Sequence, residues 1–270
     1  MPILSRLQSW RRARMLARHP LDPELWQTVV TRTDVLRGLG SDELTRLHDL
    51  ATLFVHGKTF YATHDLVIDD YVRIAIAAQA CLLILNLDSA GRTEVYPGWR
   101  SIILYPGAFV ARHDFRDEVG IVHQRILALE GEASPHGPVV LSWEDAKPDH
   151  AHGGDGRNVV LHEFAHKLDY LDGTANGHPP LHADMSTSTW AAVFAAAFAH
   201  LTRQLEHHQH PALDPYAATN PAEFFAVVTE AFFATPLRLQ HLFPDVYDQL
   251  VLYYRQDPGA RLRGTNAGRM

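Results

Sequence analysis

Residues 158–173 read NVVLHEFAHKLDYLDG, and this stretch decides the expected fold of the chain. It follows a glycine-rich loop and ends near Gly173, and its apolar residues recur with helical spacing. On a helix, positions four apart share a face, so His162 and His166 can reach one metal ion while Glu163 points to its side. The stretch therefore predicts a helix that carries a metal site.

The pattern His-Glu-Phe-Ala-His is the arrangement that a hydrolytic zinc site needs. Two neutral imidazoles hold the ion, and an open coordination position holds a water of lowered pKa. The carboxylate of Glu163 takes the proton of that water as it attacks a carbonyl carbon. In a chain with 18 histidines, chance produces this pattern about once in twenty such chains. We therefore predict one Zn²⁺ per chain, with Glu163 as general base.

A catalytic zinc needs a third protein ligand, and spacing leaves several carboxylates open. Asp169 shares a helical face with His162, but three ligands from consecutive turns of one straight helix give a poor tetrahedral arrangement. Asp169 is more simply interpreted as a carboxylate that accepts a hydrogen bond from an imidazole N–H and so orients a histidine ligand. The alternative is that Asp169 is exposed and has no role in the site. Glu223 and Glu230 share one stripe of a later apolar helix that starts at Asn220. Spacing alone divides the ligand assignment nearly evenly between these two acids.

The whole chain predicts a single α+β domain over residues 1–270. Strands are expected at the apolar runs CLLILNL, SIILYPGAFV and GPVVLSW, and a helix is expected at DDYVRIAIAAQA. No internal repeat or low-complexity linker divides the chain. The expected parts are a helical N-terminal segment (1–60), a strand-rich part with a small mixed sheet (66–145), a helical C-terminal half with the metal site (158–256) and a mobile tail (257–270).

Composition and charge exclude several classes of protein. The single cysteine, Cys81, rules out a disulfide scaffold and is expected to be buried. The longest apolar run, residues 74–85, is about half of the roughly 20 residues that a bilayer span requires. A formal net charge of −7 gives no global attraction to nucleic acid phosphates. We therefore expect a cytoplasmic protein with no direct nucleic-acid partner and no membrane partner.

An arginine-rich helix is expected over residues 5–19. Leu7, Trp10, Met15 and Leu16 are predicted to form its apolar side. A helix of this kind either lies on a membrane surface or packs on the core with a solvated charged face. The second interpretation is favoured.

Three further features allow two interpretations each. The strand at GPVVLSW is either an edge strand that pairs with an extended substrate or an interior strand. Arg157 either meets a substrate carboxylate or lies on a loop surface, and the surface is favoured. A cluster of four histidines is interpreted as a solvated helix end rather than a metal-binding tract; its members are His200, His207, His208 and His210.

Three runs of the sequence resemble the bacterial Mlc titration factor A family of zinc metallopeptidases. They read GPVVLSWEDA, VVLHEFAHKLDYLDG and DPYAATNPAEFFAVVTEAFF. The resemblance covers roughly residues 50–258 and is weakest over the first 40 residues and the tail. It implies a zincin-like domain, related to the gluzincins, with a catalytic core similar to that of the anthrax lethal factor.

The resemblance also assigns roles. It matches His162 and His166 to the histidine ligands, Glu163 to the general base and Glu223 to the third ligand. Tyr216 matches a tyrosine that faces the metal, where its phenol can donate a hydrogen bond to an oxyanion. Glu230 is then expected to support a histidine ligand. The implied activity is aminopeptidase-type cleavage of short peptides, and the implied partner is a glucose-responsive transcriptional repressor, Mlc.

Overall fold

The computed structural model describes residues 2–87, 95–116, 122–129, 131–133, 137–148, 156–211 and 213–267. Helices predominate in these residues. The helices are α1 (Pro2–Arg18), α2 (Pro23–Arg32), α3 (Ser41–Gly57), α4 (Asp70–Leu83), α5 (Trp143–Ala146), α6 (Val159–Asp169), α7 (Thr187–Glu206), α8 (Pro221–Ala234), α9 (Pro236–Leu242), α10 (Pro244–Tyr254) and α11 (Pro258–Ala267). The strands are β1 (Thr59–Ala62), β2 (Ser101–Tyr105), β3 (Phe109–Arg116), β4 (Val122–Leu129), β5 (Gly131–Ala133) and β6 (Val139–Ser142).

The main sheet is small and mixed. Its strand order is β1-β2-β6-β5, in which β1, β2 and β6 run parallel and β5 pairs antiparallel with β6. A separate antiparallel ribbon consists of β3 and β4. The expected α+β class with a small mixed sheet is confirmed. The GPVVLSW strand, β6, is an interior strand, and the edge position belongs to β5.

The core brings the helices that flank the sheet into contact with one another. α6 packs against α8 and α4, and α4 also packs against α2 and α3. Phe164 of α6 is fully buried and contacts the rings of Phe54, Tyr96 and Trp99. Burial of an aromatic side chain of this size contributes about 2–3 kcal/mol to stability. The apolar side of α6 is thereby fixed, and its histidine face is directed toward α8.

The strand expected at CLLILNL does not form. α4 includes the first three residues of this run and ends at Leu83, and residues 84–87 form turns. Cys81 lies on the buried surface of the helix with no exposed area. Almost every residue of α4 after Val72 is buried, so the helix lacks the polar face that would have revealed a helical period. A short apolar run that is buried on all sides cannot be distinguished from a strand by its periodicity.

Part of the expected mobile tail is also helical. α11 begins at Pro258, and the carboxylate of Asp257 accepts a hydrogen bond from the backbone N–H of Ala260 at 2.8 Å. The Arg261 guanidinium donates to Gln256 and Glu43 at 3.2 and 3.3 Å. These contacts connect the segment to α3 and to the residue just before it, so the mobile tail expected over residues 257–270 is corrected for Pro258–Ala267.

The apolar side predicted for the first helix is divided between two faces of α1. Met15 and Leu16 pack against the core. Leu7 and Trp10 are exposed to solvent by 42% and 55%. Among the helices that the structure describes, none is long and apolar enough to cross a bilayer. The cytoplasmic location stays a prediction.

Candidate metal centre

The two histidines of the site are placed by α6. Asn158 begins this helix, and its side-chain oxygen accepts a hydrogen bond from the backbone N–H of Leu161 at 2.9 Å. His162 and His166 follow one turn apart on the same face, and their Nε2 atoms lie 3.2 Å from each other. The local sequence therefore brings two imidazole nitrogens to one point.

The carboxylate that meets these histidines comes from α8. Asn220 caps the helix by accepting a hydrogen bond from the backbone N–H of Glu223 at 3.0 Å, and Pro221 occupies the first helical position. One carboxylate oxygen of Glu223, Oε2, lies 3.1 Å from His162 Nε2 and 3.2 Å from His166 Nε2. Of the two acids that spacing left open, Glu223 is the one that reaches both imidazoles.

The three groups fit a divalent metal ion. Their nearest donor atoms all lie within 4.8 Å of one another, and the three contacts of 3.1–3.2 Å are close to the separation of about 3.3 Å between ligands of a tetrahedral zinc. The hydrogen bond that His162 Nδ1 makes requires its proton there, so a neutral His162 directs a lone pair at the Glu223 carboxylate. Converging acceptors of this kind repel one another unless a cation lies between them.

Glu230 supports His162 from behind. Its Oε1 atom lies 2.7 Å from His162 Nδ1, and its Oε2 atom accepts a hydrogen bond from the backbone N–H of Asn158 at 2.6 Å. The side-chain NH₂ group of Asn158 in turn donates a hydrogen bond to the side-chain oxygen of Gln79 at 2.7 Å. A carboxylate in this position fixes the tautomer and the ring orientation of a histidine ligand. Sequence reasoning missed the contribution of Gln79, although a glutamine inside an apolar run was a signal.

Glu163 is buried beside the three groups that could bind a metal, which we call the donor cluster: His162, His166 and Glu223. It is 4% exposed, and its Oε2 atom has no hydrogen-bond partner among the described residues. Burial raises the pKa of this carboxyl to about 7, against the opposing effect of the two histidines. A β-carbon on Gly131 would lie 2.4 Å from Glu163 Oε1, so the backbone of β5 lies directly against the carboxylate. The need for a glycine at this position could not be deduced from the sequence.

Within the donor cluster, the pKa values of His162 and Glu223 are shifted in opposite directions. Burial lowers the pKa of His162, but the carboxylates of Glu230 and Glu223 outweigh this effect and hold the pKa well above its usual value. Burial raises the pKa of the Glu223 carboxyl, but the imidazoles of His162 and His166 beside it outweigh this effect and hold that pKa below its usual range. The site is therefore an acidic pocket in which positive charge is stabilised.

Tyr216 lies at the entrance of the site. Its ring centroid is 6.1 Å from that of His162, and the side chain remains 45% exposed. Burial of the phenol, followed by the carboxylates of Glu223 and Glu163, raises its pKa. The phenol therefore keeps its proton near neutral pH and can act as a hydrogen-bond donor.

Asp214 holds the backbone of Tyr216 in place and is itself paired with Arg157. The carboxylate of Asp214 accepts a hydrogen bond from the backbone N–H of Tyr216 at 2.9 Å and begins the short 3₁₀ helix Pro215–Ala218. The other oxygen of Asp214 forms an ion pair with Arg157 at 2.8 Å. Arg157 therefore lies on the surface, as the favoured interpretation predicted, and its side chain is half-exposed. The ion pair connects the start of α6 to the loop that carries Tyr216.

Asp169 binds the loop after α6. Its two carboxylate oxygens accept hydrogen bonds from the backbone N–H groups of Gly177 and His178 at 2.7 and 2.9 Å, and the side chain is fully buried. It also attracts His166 electrostatically. These hydrogen bonds connect the loop to α6 and involve backbone N–H groups rather than an imidazole. The orientation of an imidazole by Asp169 therefore stays a prediction.

We expect replacement of Gly177 by Ala to destabilise the protein by about 3 kcal/mol. Gly177 has a φ of +75°, and an added β-carbon would lie 2.4 Å from the carbonyl oxygen of Pro221 at the start of α8. Chemical denaturation measures this loss. Gly173→Ala is the matched control, because Gly173 has a φ of +105° with open space around it. An equal loss in the two variants would show that the contact with Pro221 is unimportant.

The histidine cluster at the end of α7 lies outside the metal centre. All four of its members are exposed, and His207 ends the helix. Within the described residues, the group with metal-binding geometry consists of His162, His166 and Glu223. The solvated helix end predicted for this cluster matches its exposure.

Comparisons with known proteins agree with the family resemblance of the three sequence runs. The sequence model of a family described as glucose-regulated metallo-peptidase M90 matches residues 7–255. An uncharacterized protein of Synechocystis sp. is 38% identical over 251 residues, which cover 92% of this chain and 89% of that protein. A protein named Mlc titration factor A from Pectobacterium atrosepticum is 32% identical over 245 residues, or 89% of each chain. One of the same name from Enterobacter sp. is 32% identical over 236 residues, or 87% and 86% of the two chains.

Proposed function

The chain belongs to the M90 family of glucose-regulated metallopeptidases, and from this membership we propose that it is a zinc-dependent peptidase with a zincin-like, gluzincin-type domain. One observation carries the proposal. The Nε2 atoms of His162 and His166 and the Oε2 atom of Glu223 converge at 3.1–3.2 Å. The carboxylate of Glu163 is buried beside them, and its Oε2 atom has no hydrogen-bond partner among the residues that the structure describes. Two imidazoles and one carboxylate form the ligand set of a hydrolytic zinc site with an open position.

The chain's own residues supply the acid–base chemistry. When bound, zinc supplies a Lewis acid and makes a water molecule more acidic. Glu163 accepts a proton from the attacking water at a carboxylate oxygen and delivers it to the nitrogen of the leaving amine. The phenol of Tyr216 donates a hydrogen bond to the oxyanion that develops on the attacked carbonyl. Glu230 keeps the Nδ1–H of His162 in place throughout.

The substrate is proposed to be a short peptide that lies along β5. This strand is at the edge of the main sheet, and Gly131 at its start touches Glu163. An extended peptide that adds to such an edge forms main-chain hydrogen bonds and places a scissile bond beside the general base. Aminopeptidase-type cleavage, which the family resemblance implies, is part of this proposal.

Removal and restoration of the metal tests the proposed activity. The protein is treated with a chelator, dialysed, and assayed on a pool of aminoacyl anilides and capped peptides before and after addition of one equivalent of zinc. We expect cleavage to disappear with the metal and to return with zinc. Cleavage at an unchanged rate by the metal-free protein would contradict a metallopeptidase.

We expect Tyr216→Phe to lower kcat by about 10-fold to 1,000-fold, because one donor to the developing oxyanion is lost. KM should change little, since the hydrogen bond forms mainly in the transition state. Steady-state kinetics on the best anilide substrate measures both constants. Tyr61→Phe, at an exposed position on β1, is the control. Equal kcat values in the parent and Tyr216→Phe would remove the phenol from the mechanism.

We expect Glu230→Gln to weaken zinc binding by about 10-fold to 100-fold. The neutral amide accepts a weaker hydrogen bond from His162 Nδ1, so the imidazole becomes a poorer ligand. Competition with a fluorescent zinc chelator measures the affinity. Glu206→Gln, at the exposed end of α7, is the matched control. An unchanged affinity in Glu230→Gln would show that Glu230 does not support the ligand.

A second candidate function is the binding of a transcriptional repressor of the Mlc type. Relatives at 32% identity carry the name Mlc titration factor A, and this name is the observation that favours it. Sequestration of a repressor does not require the metal. Binding of purified Mlc by both the parent and His162→Ala would support this function, and no binding by the parent would refute it.

A further inference from the structure

The outward side of α1 is both basic and apolar. Leu7 and Trp10 are exposed by 42% and 55%, and Arg11, Arg14 and Arg18 are exposed as well. The spacing of these five residues places them on one side of the helix. The Arg14 guanidinium lies 5.2 Å from the centre of the Trp10 ring. We call this set of five side chains the α1 face.

The attachment of α1 explains why this face is directed outward. Met15 and Leu16, on the other side of the helix, pack against the core. α1 packs along α3, and the ring of His19 lies 4.5 Å from the ring of His56 at the end of α3. The helix is thus fixed through its inner side, and Leu7 and Trp10 cannot reach the core without releasing Met15 and Leu16.

The charge of the α1 face is opposite to that of the whole protein. The first 21 residues contain five arginines and no acidic residue, whereas the chain has a formal net charge of −7. A polyanion that also contacted the rest of the protein surface would be repelled there, because the remainder of the chain carries an excess of acidic residues. The surface therefore favours an anionic partner that contacts α1 alone.

We propose that the α1 face docks on an anionic phospholipid surface. Arginine guanidinium groups bind phosphate oxygens in pairs of hydrogen bonds, and an interfacial tryptophan lies at the level of the lipid headgroups. Leu7 adds an apolar side chain that can enter the acyl boundary, as in helices that lie in the plane of a membrane. A nucleic acid backbone would use the arginines but would leave Leu7 without an apolar partner.

A solvated charged face on a packed helix requires Leu7 and Trp10 to lie on the core side of the helix. The structure turns both of them outward beside the arginines. An exposed tryptophan and leucine among three arginines have the composition of an interfacial helix rather than of a purely polar surface. This placement is the reason for revising the prediction that the protein has no membrane partner.

Vesicle co-sedimentation of the full chain tests the proposal. One set of vesicles contains equal parts of phosphatidylcholine and phosphatidylglycerol, and the other contains phosphatidylcholine alone. We expect binding to the anionic set that weakens with added salt. The triple variant Arg11→Gln, Arg14→Gln, Arg18→Gln should bind at least about tenfold more weakly. Trp10→Ala should also weaken binding, although it changes no charge.

A second triple variant separates the α1 face from total charge. Arg32→Gln, Arg203→Gln and Arg263→Gln remove the same three charges at exposed positions elsewhere, and this variant should bind anionic vesicles like the parent. Equal binding to the two sets of vesicles, or no binding to either, overturns the proposal. It is also overturned if the α1 triple variant binds like the parent, or if the parent binds duplex DNA and not vesicles.

Discussion

Glu163→Gln is expected to retain its zinc and to lose about 10²-fold to 10⁴-fold in kcat. The amide has nearly the shape of the carboxylate, but it cannot accept the proton of the attacking water. The proposed ligand atoms belong to His162, His166 and Glu223, the group with metal-binding geometry among the described residues, so the substitution removes none of them. Zinc content and kcat are measured on the same preparation, because the expected result is a bound metal without turnover.

The control for this variant is Glu144→Gln, which changes an exposed carboxylate on α5. It should cleave peptides at the parental rate. Parental turnover by Glu163→Gln would exclude Glu163 as the general base. Because Gly131 of β5 lies directly against the Glu163 carboxylate, the folding of the variant is also checked. Its circular dichroism and thermal unfolding should match those of the parent.

His162→Ala is expected to lose zinc on dialysis, with an affinity reduced by more than about 100-fold. The substitution removes one of the three proposed ligand atoms. It also leaves the Oε1 atom of the buried Glu230 carboxylate without its partner at 2.7 Å, and the loss of a charged partner destabilises a buried carboxylate by several kcal/mol. The variant should therefore unfold at a lower denaturant concentration than the zinc-free parent. Zinc per chain is measured by elemental analysis after dialysis.

His200→Ala, at an exposed position on α7, is the matched histidine control and should bind zinc at parental stoichiometry. If His162→Ala retained one zinc per chain after the same dialysis, the ligand assignment would be refuted. Retention of zinc by both variants would place the ion elsewhere in the chain.

Local patterns were sufficient to predict the helix that carries the histidines. The spacing of His162 and His166 depends only on the helical repeat, and the apolar residues around them recur with helical spacing. Both features are encoded within about twelve residues. The same reasoning predicted the start of α8 at Asn220, where proline follows the capping residue.

The choice between Glu223 and Glu230 could not be made from spacing. The two side chains lie on one stripe of α8, and only the way that α8 crosses α6 decides which of them meets the Nε2 atoms. The crossing is set by long-range packing of apolar side chains, which no local pattern records. For the same reason, the contact of Asn158 with Gln79, far away in the sequence, could not be predicted.

The errors in secondary structure have a similar origin. α4 is surrounded by protein, so its final turn was indistinguishable from a buried strand. β5 has only three residues, which is too short for an alternating pattern, yet it forms the edge of the sheet beside Glu163. The glycine that begins it is required by contact with a side chain from another element rather than by a turn.

Hydrolysis of paired peptides that differ only in a free or an acetylated N-terminus tests the proposed peptidase activity most directly. The assay uses protein restored to one zinc per chain, with zinc-bound Glu163→Gln in parallel. We expect the parent to cleave the peptide with the free N-terminus faster and the variant to cleave neither peptide. Failure of the zinc-loaded parent to cleave any peptide of the pair, over a range of sequences, would contradict the proposed peptidase.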